Sequence, residues 1–193
     1  MTNVKPLFVF ITFLFWIGAQ MVSTACAGTK GDPVNYRKIL AFAQELTSEG
    51  GMGLRENQAI GLAVEAQMYW SETYTDKFIR NHKTYLQFAA KSVKNYGLGE
   101  SFLEAKADAY QIAKYWNEVQ LDKYIRKYEK YIQFALANKD EHGLGLGIPE
   151  AKAAAVKAAE NWSEYYIDHS ISSYLTYLSN VCNGSMHLPQ AKE

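Results

Sequence analysis

Glu72 and Asp76, Glu118 and Asp122, and Glu164 and Asp168 are carboxylate pairs four residues apart, each pair 46 residues from the next. At that spacing on a helix the two acids share a face, and like charges there cost about 0.2–0.5 kcal/mol, so a threefold occurrence asks for a reason. Oxygen-rich pairs suit a divalent cation or a general acid/base couple. Arg80 and Arg126 stand four residues beyond Asp76 and Asp122. The blander expectation is therefore an ion-paired stripe, with the aspartates as helix caps if the chain breaks there.

The other chemistry-bearing residues form no familiar set. His82, His142, His169 and His187 lack zinc spacing, and HExxH is absent. His82 falls on an aromatic stripe with Phe78, Tyr85 and Phe88, which suits either a packed histidine or a ligand to haem or metal. No GxSxG, GxGxxG or GxxxxGK motif occurs. The expectation is a non-enzymatic protein with no cofactor and no metal. Tyr124, Tyr128 and Tyr131 run at i, i+4, i+7 within a tyrosine-rich stretch that also includes Tyr110, Tyr115, Tyr165, Tyr166, Tyr174 and Tyr177. Such a stripe is read as a recognition face, or equally as a core seam whose hydroxyls reach the rim. With His82, these three tyrosines are the candidate ligand or interaction residues.

What positions them is a repeating chain. Trp70, Trp116 and Trp162 are 46 residues apart, as are Phe42, Phe88 and Phe134, each phenylalanine followed by alanine. Gly51-Met52-Gly53, Gly97-Leu98-Gly99 and Gly143-Leu144-Gly145 keep the same interval. Residues 36–81, 82–127 and 128–173 superpose without a gap, with ten columns identical in all three. A fixed period of this length marks stacked units. The glycine pairs read as breaks; Ser101 with Glu104 forms a capping box, and Pro149 and Asp32-Pro33 open helices. Strand alternation is absent, and the class is all-α.

Two architectures compete. No glycine or proline interrupts residues 100–142, which favours helices of about 40 residues in an antiparallel bundle. The alternative places a break at Ser71, Asn117 and Ser163, good N-cap residues, giving a stack of α-hairpins in the size range of HEAT or armadillo units without their motifs. The tryptophans and phenylalanines are expected as core anchors. Each tryptophan lies seven residues after an alanine (Ala63, Ala109, Ala155), a pairing that suits knob-and-hole packing.

The segment from Met1 to Ala27 reads as a signal peptide. Lys5 precedes an apolar run from Leu7 to Val22, and small residues follow from Ser23 to Gly28. Ala25-Cys26-Ala27 suits cleavage before Gly28, whereas Ser23-Thr24-Ala25-Cys26 resembles a bacterial lipobox with Cys26 as the lipidated residue. Cys182, the other cysteine, is either unpaired or, if Cys26 is retained, its partner. Residues 28–193 form one domain with 19 basic and 20 acidic side chains, a net of −1 that gives no long-range field for nucleic acid. The chain thus reads as an exported protein-interaction module of a bacterial envelope, periplasmic, tethered or secreted, with an unknown protein partner. A small-ligand carrier is the alternative, and an enzyme using the carboxylates is the least favoured.

Overall fold

A computed structural model describes residues 33–182 and is all-α: seven helices and no strand among the described residues. They are α1 (Pro33–Gln44), α2 (Glu56–Tyr69), α3 (Glu72–Ala90), α4 (Phe102–Tyr115), α5 (Glu118–Leu136), α6 (Ile148–Asn161) and α7 (Glu164–Cys182). The leader, Cys26 and His187 lie outside the described residues.

The single long helix expected in each unit does not form. Helices of 14 and 19 residues alternate instead, because the chain breaks at Trp70-Ser71, Trp116-Asn117 and Trp162-Ser163. Trp70 and Ser71 are both extended (φ −100°, ψ 139° and φ −75°, ψ 159°), and Trp116 and Asn117 do the same. Side chains offset the cost of the interruption. Ser71 Oγ accepts from the Tyr74 amide, Asn117 Oδ1 from Gln120, and Ser163 Oγ from Tyr166, so the N-caps are these residues and not the aspartates. On the other side of the break, the Trp70 and Trp116 carbonyls accept from Nδ2 of Asn35 (2.8 Å) and Asn81 (3.0 Å), both buried. The Trp162 carbonyl accepts from Lys127 Nζ at 2.9 Å. Each bond reaches from one helix to a carbonyl 35 residues onward, and contributes about 1 kcal/mol.

The glycine-rich segments make a different turn. After α3, Leu98, Gly99 and Glu100 donate their amides to the carbonyls of Phe88, Lys91 and Ala89, which the helix end leaves open. Met52, Gly53 and Leu54 make the same bonds after α1, and Leu144, Gly145 and Leu146 after α5. Gly51, Gly97 and Gly143 lie so close to the preceding helix end that a Cβ there would meet a carbonyl oxygen at 2.1–2.3 Å. The side chain between each glycine pair turns inward; Met52 and Leu98 are buried.

These turns fold α1 onto α2, α3 onto α4 and α5 onto α6. The odd-numbered helices neighbour one another in order, α1 beside α3, α3 beside α5 and α5 beside α7. The 14-residue helices present alanine to the core: Ala59, Ala63 and Ala66; Ala105, Ala109 and Ala113; Ala151, Ala155, Ala158 and Ala159. A side chain that small lets a backbone approach closely, and the larger partners come from the opposite helices. Ile39, Phe42, Met52 and Phe78 pack in one cluster that reaches Ala113 of α4. Tyr85, Leu86, Phe88, Leu121, Tyr128 and Ile132 pack in a second that reaches Ala151, Ala155 and Ala159 of α6. Both α3 and α4 thus divide their buried residues between two clusters.

Candidate functional site

The repeated carboxylates sit at helix starts and face neighbouring helices. Lys38 of α1 reaches Glu72 and Asp76, both at 2.9 Å; Arg80 of α3 meets Glu118 at 2.7 Å; Arg126 of α5 meets Glu164 at 3.2 Å; and Lys130 pairs with Asp168. Arg80 and Arg126 therefore bridge to the next helix rather than to Asp76 and Asp122 on their own. Glu72, Glu118 and Glu164 also occupy the first turn, where the helix dipole favours an anion. Five of the six acids thus meet a base on a neighbouring helix, and Asp122 stands exposed. The pairs are exposed and each contributes about 0–1 kcal/mol.

The candidate tyrosines occupy the packing between helices rather than a free face. Tyr128 is 0% exposed and its hydroxyl donates to the Gly97 carbonyl at 2.9 Å. Tyr124 is buried edge-on against Phe88 and Trp116, with centroids 6.2 and 5.4 Å away. Tyr131 is half-buried against Phe134 and Trp162. Burial raises the Tyr128 hydroxyl to about 12 and moves Tyr124 and Tyr131 upward too, so all three remain neutral phenols. The core-seam reading of the stripe is the one that the burial fits.

His82 is fully buried, with the rings of Phe42 and Phe78 centred 5.1 and 6.5 Å from its own. The tryptophans are half-buried rather than enclosed. Trp70 packs on Tyr74 and Phe78 (4.9 Å each), Trp116 on Tyr124, and Trp162 on Tyr131 and Tyr166. Phe42 and Phe88 are core residues, and Phe134 is half-buried beside Tyr174.

Glu100 is an acid that the sequence reading passed over. It stands where Leu54 and Leu146 stand in the flanking units, half-buried, with Oε2 lacking a hydrogen-bond partner. Burial raises its carboxyl to about 6, Asp108 adds to the shift, and Lys152 opposes it. Asp108 moves upward for the same reason, by burial and the charge of Glu104.

The exposed large apolar side chains divide between the two ends of the units: Leu46, Phe102 and Leu103 lie at the glycine turns, and a row of tyrosine rings lies at the breaks. Tyr69 and Tyr115, the last residues of α2 and α4, are 77% and 70% exposed; Tyr165, second in α7, is 76% exposed. Val119 in α5 and Tyr166 in α7 join them. Tyr165 lies parallel to the His169 ring, with centroids 6.1 Å apart. The breaks share one side of the molecule because the odd-numbered helices run parallel. Arg80 meets Glu118 near the start of α5, and Lys91 meets Glu129 at 3.8 Å farther along, so a step forward in α3 is a step forward in α5. Tyr115, Tyr165 and Tyr166 belong to the tyrosine-rich stretch, but Tyr69 and Val119 carried no signal beyond their place beside a tryptophan and an N-cap.

Two open grooves follow α7. One, of about 240 Å³, is lined by Arg126, Lys127, Lys130, Glu164, Ile167 and Asp168; Arg126 pairs with Glu164, Lys130 with Asp168, and Lys127 donates to the Trp162 carbonyl. The other, of about 450 Å³, is lined by His169, Ser172, Ser173, Thr176, Tyr177 and Asn180. No helix among the described residues is long and apolar enough to cross a membrane. Searches of protein-family models, curated proteins and solved structures return no match to this chain.

Proposed function

We propose that the chain is an exported, non-enzymatic stack of three tandem units that binds a protein of the bacterial envelope along its aromatic edge. The observation that carries this reading is the row of exposed rings at the breaks, Tyr69, Tyr115 and Tyr165. An exposed tyrosine leaves apolar surface in water and keeps a hydroxyl at its tip, which is the composition of recognition surfaces. The units supply regular spacing: parallel helices, joined by ion pairs at one constant sequence offset, bring each break to the same side. A near-neutral body favours a partner held by apolar contact over one gathered by charge. The apolar run from Leu7 to Val22 and the small residues after it support export, with Cys26 as a tether where it is lipidated.

Site-specific photocrosslinking in native cells tests the edge. A crosslinker at Tyr115 is expected to yield a discrete protein adduct that the same probe at exposed Asp122 does not, and Tyr69→Ala with Tyr165→Ala should abolish it. Equal adducts from both positions, or none at Tyr115, would contradict the edge. Mass spectrometry of the same material reads the export half: an acylated Cys26 or a free Gly28 fits, and an intact Met1 in the cytosol does not.

A further inference from the structure

Tyr128 of α5 and Tyr174 of α7 occupy the same place in their units, and each hydroxyl donates to a loop carbonyl 31 residues back: Gly97 at 2.9 Å and Gly143 at 3.4 Å. The corresponding residue in α3 is His82, and the corresponding carbonyl is that of Gly51. An imidazole is shorter than a phenol, and no well-formed hydrogen bond reaches Nδ1 or Nε2 of His82, the Gly50 carbonyl being the one acceptor beside the ring. The ring is nevertheless completely buried, edge-on to Phe42 of α1 and beside Phe78. The joint between α1–α2 and α3–α4 therefore encloses a poorly compensated, protonatable group where the next two joints hold a neutral hydrogen bond.

We propose that this first joint is an acid-sensitive hinge, in which a proton on His82 releases α1–α2 from α3–α4. A protonated imidazole is disfavoured where the ring sits, buried among Phe42 and Phe78. The charged groups around it are Lys83 on its own helix, Lys106 on α4 and Glu45 at the end of α1, and the carboxylate of Glu45 is already bound to Lys83 at 3.1 Å. Both lysines repel a second positive charge; only the Gly50 carbonyl opposes them. Burial, reinforced by these lysines, lowers the His82 imidazole to about 4 from the usual 6.5. The neutral form is thus the native one. The closed joint keeps its full stability above about pH 6.5 and loses it as pH falls toward 4, because the open form binds the proton more readily. At pH 5 those two values make the open population about 30-fold larger than at pH 8. Glu100 at the second joint works in the opposite sense: its carboxyl is raised, so acid favours the closed form there.

Hydrogen exchange on the full chain, corrected for the intrinsic pH dependence of exchange, tests the hinge. Amides of α1 and α2 are expected to lose about 30-fold protection between pH 8 and pH 5 while those of α5 and α6 do not. His82→Tyr, which restores the residue of the other joints, and His82→Phe should each reduce that loss to less than threefold. An unchanged loss in both variants would overturn the proposal, as would equal loss in all helices. Should either variant fail to fold, the His82 ring proton in the wild-type chain decides. A neutral shift retained at pH 5 in the closed state supports the hinge, and titration near 6.5 with the joint closed overturns it.

Discussion

Gly97→Ala is expected to destabilise the protein by about 3 kcal/mol or more, an effect usual only where a change strikes packed backbone. The new Cβ would stand 2.2 Å from the Lys91 carbonyl oxygen and 2.5 Å from the Lys91 Cβ. Neither neighbour can swing aside. The Lys91 carbonyl is held by the Gly99 amide at 2.8 Å, and the flanking bonds from Leu98 and Glu100 fix the same turn. Relief requires breaking that set, which would free the last carbonyls of α3 and withdraw the buried Leu98. Gly61→Ala supplies the contrast. It lies inside α2 with nothing within 4 Å of its added Cβ, so alanine there should raise stability by about 0.5–1 kcal/mol. Chemical denaturation of both variants checks the pair; a mild Gly97→Ala would mean that the turn is looser than its bonds imply.

Tyr128→Ala should cost about 3–5 kcal/mol, the range for emptying a core position of an aromatic ring. The ring is fully enclosed, edge-on to Phe88 at 5.2 Å, and little around it can collapse because the facing side chains of α6 are mostly alanine. Tyr128→Phe separates the hydroxyl from the ring. It keeps the packing and leaves the Gly97 carbonyl without its donor, for a loss of about 1–2 kcal/mol. Measured by the same unfolding experiment, near-equal losses for the two variants would show that the hydrogen bond rather than the ring holds that position.

The sequence carried the helix class, the turns and the unit length openly, because glycine and capping residues act locally. Ser101 and Glu104 form the reciprocal cap that their spacing implies, and Pro149 lies in the first turn of α6. The break at the tryptophans was harder to read. Nothing between residues 100 and 142 forbids a helix by propensity. What stops it at Trp116 is a local cap from Asn117 together with a donor from Asn81, 35 residues earlier in the chain. A tertiary bond of that kind leaves no local pattern. The acids were misleading for a related reason: in a single helix Arg80 falls beside Asp76, whereas in the folded chain a parallel neighbour brings Glu118 to 2.7 Å. The tyrosines at i, i+4, i+7 looked the same on paper whether they faced water or alanine. Burial separates Tyr124, Tyr128 and Tyr131 from Tyr69, Tyr115 and Tyr165, and depends on which helix covers which face.

The α3–α4 hairpin encloses no core of its own. Phe78 and Ala113 belong to the cluster shared with α1–α2, and Tyr85 through Ala109 to the cluster shared with α5–α6. The direct measurement is circular dichroism and ultracentrifugation of residues 71–116 expressed alone. Little helix and no cooperative thermal transition are the predicted outcome. A compact monomer that melts cooperatively would contradict it, since the pair would then be stable without either neighbour.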